Sequence, residues 1–331
     1  MDSCLCSRST LVYVFAFVGQ PGESDLSNGY LDTPIDWIPG MSNMRLRDFP
    51  SFVRTTNPND VLFNFTKDEA QDCLKATAIV VHTFEDLEGP VLDAMSAVLP
   101  PVYAIGPLNL MCRQMLSESV ENIGSNFWKD DSTCLKWLEG RASRSVLYIS
   151  FGSLAVMTRQ QLIEFAWGFA NSGHDFLWVI RPDCVIGDSA ILPEEFLSEI
   201  SERGLLISWC PQEEVLMHPS IGGFLTHCGW NSLFESISWG VPTICWPCFA
   251  EQPTNCKYAC NEFRIGLEIS NDVKREEVEV VVKELLREEK GIEMRRMALK
   301  WKERAINAIK PDGKSFVNLE KVIEEVLLRK K

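Results

Sequence analysis

Short apolar runs and helically spaced apolar positions alternate along the later two thirds of the chain. Val146, Leu147, Tyr148, Ile149 and Phe151 form one run that stops at Gly152-Ser153. Similar runs predict strands at 176–180, 204–207, 223–226 and 242–245, and earlier ones at 78–81 and 102–105. Continuous runs of this length, bounded by turn residues, are a buried-strand signal. Helical spacing lies between most of them. Leu87, Val91, Leu92 and Met95 predict one helix, and Leu162, Phe165, Ala166 and Phe169 another. Thr158 followed by Gln161 is a capping box for that second helix, and Gly173 closes it. Met294, Met297, Ala298, Trp301 and Ala305 predict a late amphipathic helix; Phe316, Leu319, Val322, Ile323, Val326 and Leu327 predict the last. Strands alternating with helices predict an α/β fold, a parallel sheet with helices on both faces.

Four stretches differ in character. Residues 1–23 are a leader whose apolar run, 11–18, is too short to span a bilayer. Only Arg8 precedes that run, and no small-x-small cleavage site follows it, so a strand or a segment foreign to the rest of the gene is expected rather than a signal peptide. Residues 24–105 mix apolar runs with Pro and Gly. Residues 106–127 are polar and irregular, and predict a linker. Residues 128–331 carry the regular alternation.

Composition narrows the partners. The chain has 331 residues, 46% apolar and 24% charged, with a formal net charge of −14. An acidic protein lacks the basic face that a nucleic acid or an anionic membrane surface demands, and stable membrane insertion is not expected. Backbone N–H groups and a helix N-terminus can still supply a local positive field to an anionic ligand. The 12 cysteines are scattered without a regular framework. Cys210, His218, His227 and Cys228 cluster in sequence, but their gaps match no zinc pattern, so no metal is expected. Reduced thiols in a cytoplasmic protein are the expected state.

The chemistry concentrates in residues 209–252. A predicted strand, 224–226, runs through His227 and Cys228 into a turn at Gly229. A helix then starts, with Asn231 or Ser232 as the expected cap. Small and hydroxyl residues at such a junction aim several backbone N–H groups at one point, which suits a phosphate. A Gly-rich strand-to-helix turn alone is common. Here it sits among Trp209-Cys210-Pro211-Gln212, Trp230, Glu235, Trp246-Pro247 and Glu251-Gln252, and that whole window resembles the donor-binding box of plant family 1 UDP-glycosyltransferases. Phe151-Gly152-Ser153 resembles the family's phosphate loop, and Leu192-Pro193-Glu194-Glu195-Phe196 its stretch before the box. Asp36-Trp37-Ile38-Pro39-Gly40-Met41 is similar to the subgroup that glucosylates terpenoids, iridoids and cyanohydrins.

The resemblance implies a GT-B-like fold, with 128–331 a Rossmann-like UDP-sugar domain and 24–105 a remnant of the acceptor-binding domain. It implies that Trp209 stacks on uracil and that Cys210 meets the base through its backbone. Gln212 and Glu235 would bond the ribose hydroxyls. His227, Asn231 and Ser232, with Ser153 opposite, would hold the diphosphate. Trp230, Glu251 and Gln252 would face the sugar, the terminal Gln pointing to glucose. Glu251 stands where the family commonly has Asp. Competing readings make Trp209 a core tryptophan and His227 a core histidine. The implied activity is inverting, metal-independent transfer of glucose from UDP-glucose, with no cofactor, to a hydroxyl (or carboxyl) of a small lipophilic acceptor such as a terpenoid, iridoid or phenolic. The family's histidine base and its aspartate match nothing in this chain, whose histidines are His82, His174, His218 and His227. A fragment with little activity is therefore expected, with a non-catalytic nucleotide-sugar-binding protein as the alternative. A nicotinamide dehydrogenase would need Gly-x-Gly-x-x-Gly after the first strand; Gly152-Ser153-Leu154-Ala155 does not supply it.

Overall fold

The computed structural model describes residues 3–5, 29–115, 133–187 and 191–328. The chain divides into two compact units, Met1–Val120 with Glu303–Lys331, and Glu121–Lys302.

The first unit holds strands β1 (Ser3–Leu5), β2 (Pro34–Ile35), β3 (Met44–Arg45), β4 (Ala78–Val81) and β5 (Val102–Ala104), with helices α1 (Val61–Asp72), α2 (Glu85–Ser96) and α3 (Leu108–Met115). Three strands form a parallel sheet in the order β1-β4-β5. Ala78, Ile79 and Val81 are buried, as are Leu87, Val91, Leu92 and Met95 on the inner face of α2. Three expectations change here. The leader is not wholly separate, because Ser3–Leu5 pairs with β4; its apolar run at 11–18 lies outside the described residues. The expected linker begins with a helix, α3, and its remainder from 116 lies outside them. The terminal segment groups with this unit rather than with the later sheet. Its helix Lys314–Lys321 and the helical turn Val322–Leu327 that continues it are tied to β5 and α2: Asn318 Nδ2 donates to the Ala104 carbonyl at 3.0 Å, Tyr103 donates to Glu325 at 3.3 Å, and Lys314 pairs with Glu85 at 2.5 Å.

The second unit runs α4 (Thr133–Glu139), β6 (Val146–Ser150), α5 (Arg159–Ser172), β7 (Asp175–Val179), α6 (Glu194–Glu199), β8 (Gly204–Ile207), α7 (Gln212–Met217), β9 (Ile221–Thr226), α8 (Trp230–Trp239), β10 (Thr243–Cys245), α9 (Gln252–Lys257), β11 (Gly266–Glu268) and α10 (Arg275–Arg287). Six parallel strands are ordered β11-β10-β9-β6-β7-β8. Every residue of β6 and β9 is buried, which explains their unbroken apolar runs. One core layer packs Phe165, Phe169, Trp178 and Trp246 against the sheet, and another packs Tyr148, Leu177, Val215 and Phe224. The capping box forms as expected: Thr158 Oγ1 accepts from Gln161 N at 3.2 Å, and Thr158 N donates to Gln161 Oε1 at 2.9 Å. Gly173 ends α5 at φ +70°. The late amphipathic helix spans Glu289–Ala308.

Chain order fixes where a ligand can sit. After β6 the chain moves outward through β7 and β8, then returns to β9 on the other side of β6. Strand order therefore reverses between β6 and β9, and the loops after those strands part to leave a crevice.

Candidate functional site

That crevice is a cavity of about 720 Å³. Its walls include Ser153, Trp209, Cys210, Gln212, His227, Trp230, Asn231, Ser232, Glu235, Glu251 and Gln252, all eleven residues singled out in the sequence. Tyr148, Gly152 and Phe249 line it as well.

The phosphate-like corner is built by close approach. His227 follows β9, and its imidazole is wedged between two glycines. A Cβ on Gly152 would lie 2.5 Å from His227 Cε1, and one on Gly229 would lie 2.5 Å from Nε2. Gly152 also has φ +69°, the left-handed region that glycine adopts without strain. Cys228 takes φ +65° and turns the chain into α8. Its carbonyl is held by Asn255 Nδ2 at 2.9 Å and its N–H by Thr226 Oγ1 at 3.2 Å. Gly229, not Asn231 or Ser232, is the residue that caps α8. The sharp turn at Cys228 starts the helix two or three residues earlier than expected, which leaves Asn231 and Ser232 in its first turn.

His227 Nδ1 is buried without a hydrogen-bond partner. Burial, with the Arg181 guanidinium adding repulsion, lowers the His227 pKa to about 4. The ring is neutral at physiological pH, so it offers a hydrogen bond rather than a charge. Arg181 itself, only 3% exposed, donates to the carbonyls of Ser153 and Ala155 and pairs with Asp183 at 3.3 Å. It thereby fixes the loop after β6 opposite the N-terminus of α8, whose first N–H groups have no intrahelical partners. Nothing in the local sequence pattern marks Arg181 for this task.

The opposite wall is a polar chain. Tyr148 donates to Gln212 Oε1 at 3.1 Å, and Gln212 Nε2 donates to Glu235 Oε2 at 2.8 Å and to Ser232 Oγ at 3.0 Å. Tyr148 Oη also lies 3.3 Å from Cys210 Sγ. Burial raises the Glu235 pKa to about 7, against the hydrogen bond from Gln212. An amide and a carboxylate held side by side suit a vicinal diol. Trp209 beside them is half-buried, packing on the core while lining the cavity. Gln252 is buried, and its Oε1 accepts from the N–H groups of Cys248 and Phe249 at 2.9 and 3.0 Å. These bonds fix the Gln252 amide at the cavity it lines.

One corner therefore suits a polyanion, one wall a diol and one edge a planar ring. Among the described residues no helix is long and apolar enough to cross a membrane. A family model described as UDP-glucoronosyl and UDP-glucosyl transferase matches residues 120–307. A 7-deoxyloganetin glucosyltransferase of Catharanthus roseus is 56% identical over 302 residues, covering 91% of this chain and 62% of its own length. An (R)-mandelonitrile beta-glucosyltransferase of Prunus dulcis is 52% identical over 306 residues, covering 92% of this chain and 63% of its own. This chain thus spans a little under two thirds of either relative. The solved structure of Phytolacca americana UGT2 complexed with UDP-2fluoro-glucose and pterostilbene aligns at a TM-score of 0.80 and 33% identity, over 98% of this chain and 70% of that one. That likeness bears out the GT-B-like α/β fold class. The chain belongs to the UDP-glucoronosyl and UDP-glucosyl transferase family, within the plant family 1 subgroup of the 7-deoxyloganetin and (R)-mandelonitrile enzymes.

Proposed function

We propose that the cavity binds UDP-glucose and that the protein serves inverting transfer of glucose to a hydroxyl of a small lipophilic acceptor. The observation that supports this most is the convergence of all eleven residues singled out by the resemblance on one crevice at the strand-order reversal. Uracil would stack on Trp209 and meet the Cys210 backbone. The ribose diol would bridge Gln212 and Glu235. The diphosphate would lie between Ser153 and the His227–Ser232 turn, with glucose against Trp230, Glu251 and Gln252. In the reaction the acceptor hydroxyl oxygen attacks glucose C1 while its proton passes to water, the C1–O bond to the diphosphate breaks, and UDP leaves with the electron pair. The N–H groups of α8 and the neutral His227 stabilise that departing charge, so the step calls on no divalent ion and no cofactor. The acceptor class follows the relatives' substrates, a terpenoid aglycone and a cyanohydrin. A reducing cytoplasm fits the cysteines, none of which is in a disulfide among those described.

Transfer by this chain alone is expected to be slow. His82 Nε2 already accepts from Leu108 N at 3.2 Å, His218 Nδ1 is bonded to Ser220 at 2.8 Å, and burial lowers both His174 and His227 to about 4. Lack of a positioned base costs about 10²–10⁴-fold. The same observation favours the second reading, a nucleotide-sugar-binding protein without turnover. Glucoside formation from UDP-glucose and a panel of lipophilic alcohols, followed by mass spectrometry, separates the two. Slow but acceptor-dependent product supports the transferase, whereas donor binding with no product supports the second reading. Binding that prefers UDP-galactose would contradict the donor assignment.

A further inference from the structure

The cysteines look scattered along the chain, yet the fold gathers several of them behind the His227 turn. Cys228 lies in that turn, Cys245 ends β10, and Cys256 sits in α9. Their Sγ atoms all lie within 4.8 Å of one another, and all three residues are buried. Cys260 follows Cys256 by four positions, in the helical turn Tyr258–Glu262 that continues α9. A Cys-x₃-Cys pair on a helix falls within zinc-ligand spacing.

We propose that Cys228, Cys245 and Cys256, with Cys260 as the fourth ligand, form a structural thiolate site for one zinc ion. A tetrahedral ion with Zn–S bonds of about 2.3 Å puts neighbouring sulfurs ~3.8 Å apart, a short closing-in from the 4.8 Å within which those of Cys228, Cys245 and Cys256 lie. The ligands stand on a strand end, a helix and a braced turn, so little has to move. Cys228 is braced through the bonds from Asn255 and Thr226. Thr243 Oγ1, 3.5 Å from Cys245 Sγ, supplies a polar neighbour to the sulfur. The thiols release their protons to solvent as each S–Zn bond forms, which makes affinity rise with pH. The ion would cross-link the turn bearing His227 and the helix bearing Gln252, two walls of the cavity. It takes no part in glucose transfer, and the site stands on the thiol geometry whatever the donor proves to be.

The test uses the full chain, reduced and stripped of metal, titrated with cobalt(II) and then zinc(II). One equivalent of cobalt should develop a thiolate-to-metal charge-transfer band that zinc abolishes. Cys245→Ser and Cys256→Ser should lose the band. Cys248→Ser, half-buried and outside the cluster, should keep it. Cys260→Ser, at a half-buried position easier to fold, should bind cobalt with a weaker band. No charge-transfer band in the folded wild type, meaning thiols that only pack as small apolar groups, overturns the proposal. So does a band that survives unchanged in the Cys245, Cys256 and Cys260 variants.

Discussion

Raising the pH from about 6 to about 8 should tighten UDP-glucose binding roughly tenfold, through Glu235. In the ligand-free protein burial raises this carboxyl from its ordinary 4.5 to about 7. At about pH 6 some ten in eleven Glu235 side chains are then protonated, and at about pH 8 some one in eleven. Ribose hydroxyls that donate to Glu235 favour its ionised form and bring its pKa back toward the ordinary value. Binding therefore releases a proton in this window, and affinity rises as pH rises. The full effect between the two pH values is about a factor of ten, or ~1.4 kcal/mol. In the free protein His227, at about 4, is neutral across this window. UDP-glucose is the right probe because free UDP carries a terminal phosphate that itself titrates near about pH 6. The assay is isothermal calorimetry across the window, repeated in buffers of different ionisation enthalpy to count the released proton. Glu235→Gln should bind more weakly at the upper end and lose the slope. A flat wild-type profile, or an equal slope in Glu235→Gln, would refute the placement of the ribose on Glu235.

The same burial makes Glu235 a stability cost once it ionises. Its raised pKa favours the folded protein below about 4.5, and that advantage is lost as pH rises through about 7. Glu235→Gln should accordingly raise the melting temperature of the ligand-free protein at neutral pH, measured by calorimetry. Trp209→Ala should weaken UDP-glucose binding by ~1–3 kcal/mol, the usual worth of a base stacked on an aromatic face; unchanged affinity would make the ring core packing alone. Tyr148→Phe removes the hydroxyl that orients the Gln212 amide and should cost ~1 kcal/mol, about a fivefold loss of affinity. Gly152→Ala puts a Cβ at φ +69° and 2.5 Å from His227 Cε1, so it should cost ~1–3 kcal/mol in backbone strain and displace the ring. Its readouts are thermal stability and UDP-glucose affinity, both of which should fall.

The later sheet was legible because its central strands are buried on both faces and so read as unbroken apolar runs. The box residues were legible because their signal is a long fixed pattern rather than a periodicity. What escaped depends on contacts far apart in sequence. Tyr148 reads as one more apolar strand position, yet its hydroxyl reaches Gln212, 64 residues on. Arg181 looks like an ordinary loop cation, but its guanidinium props the loop at Ser153. β11, three residues from Gly266 to Glu268, is too short to stand out as a run. α3 was masked by polar residues in a stretch that reads as linker. The terminal helix shows an amphipathic stripe, but only Asn318, Lys314 and Glu325 reveal that it docks on β5 and α2. The cap of α8 fell to Gly229 because Cys228 takes a positive φ, which residue type alone does not announce.

The central claim is that the crevice between β6 and β9 holds UDP-glucose. The most direct measurement is a calorimetric titration of the folded chain with UDP-glucose, paired with a thermal melt at saturating ligand. The account predicts a single saturable site and, at about 100 times the dissociation constant, a stabilisation of ~2.7 kcal/mol. No binding heat and no thermal shift in a folded sample would contradict it.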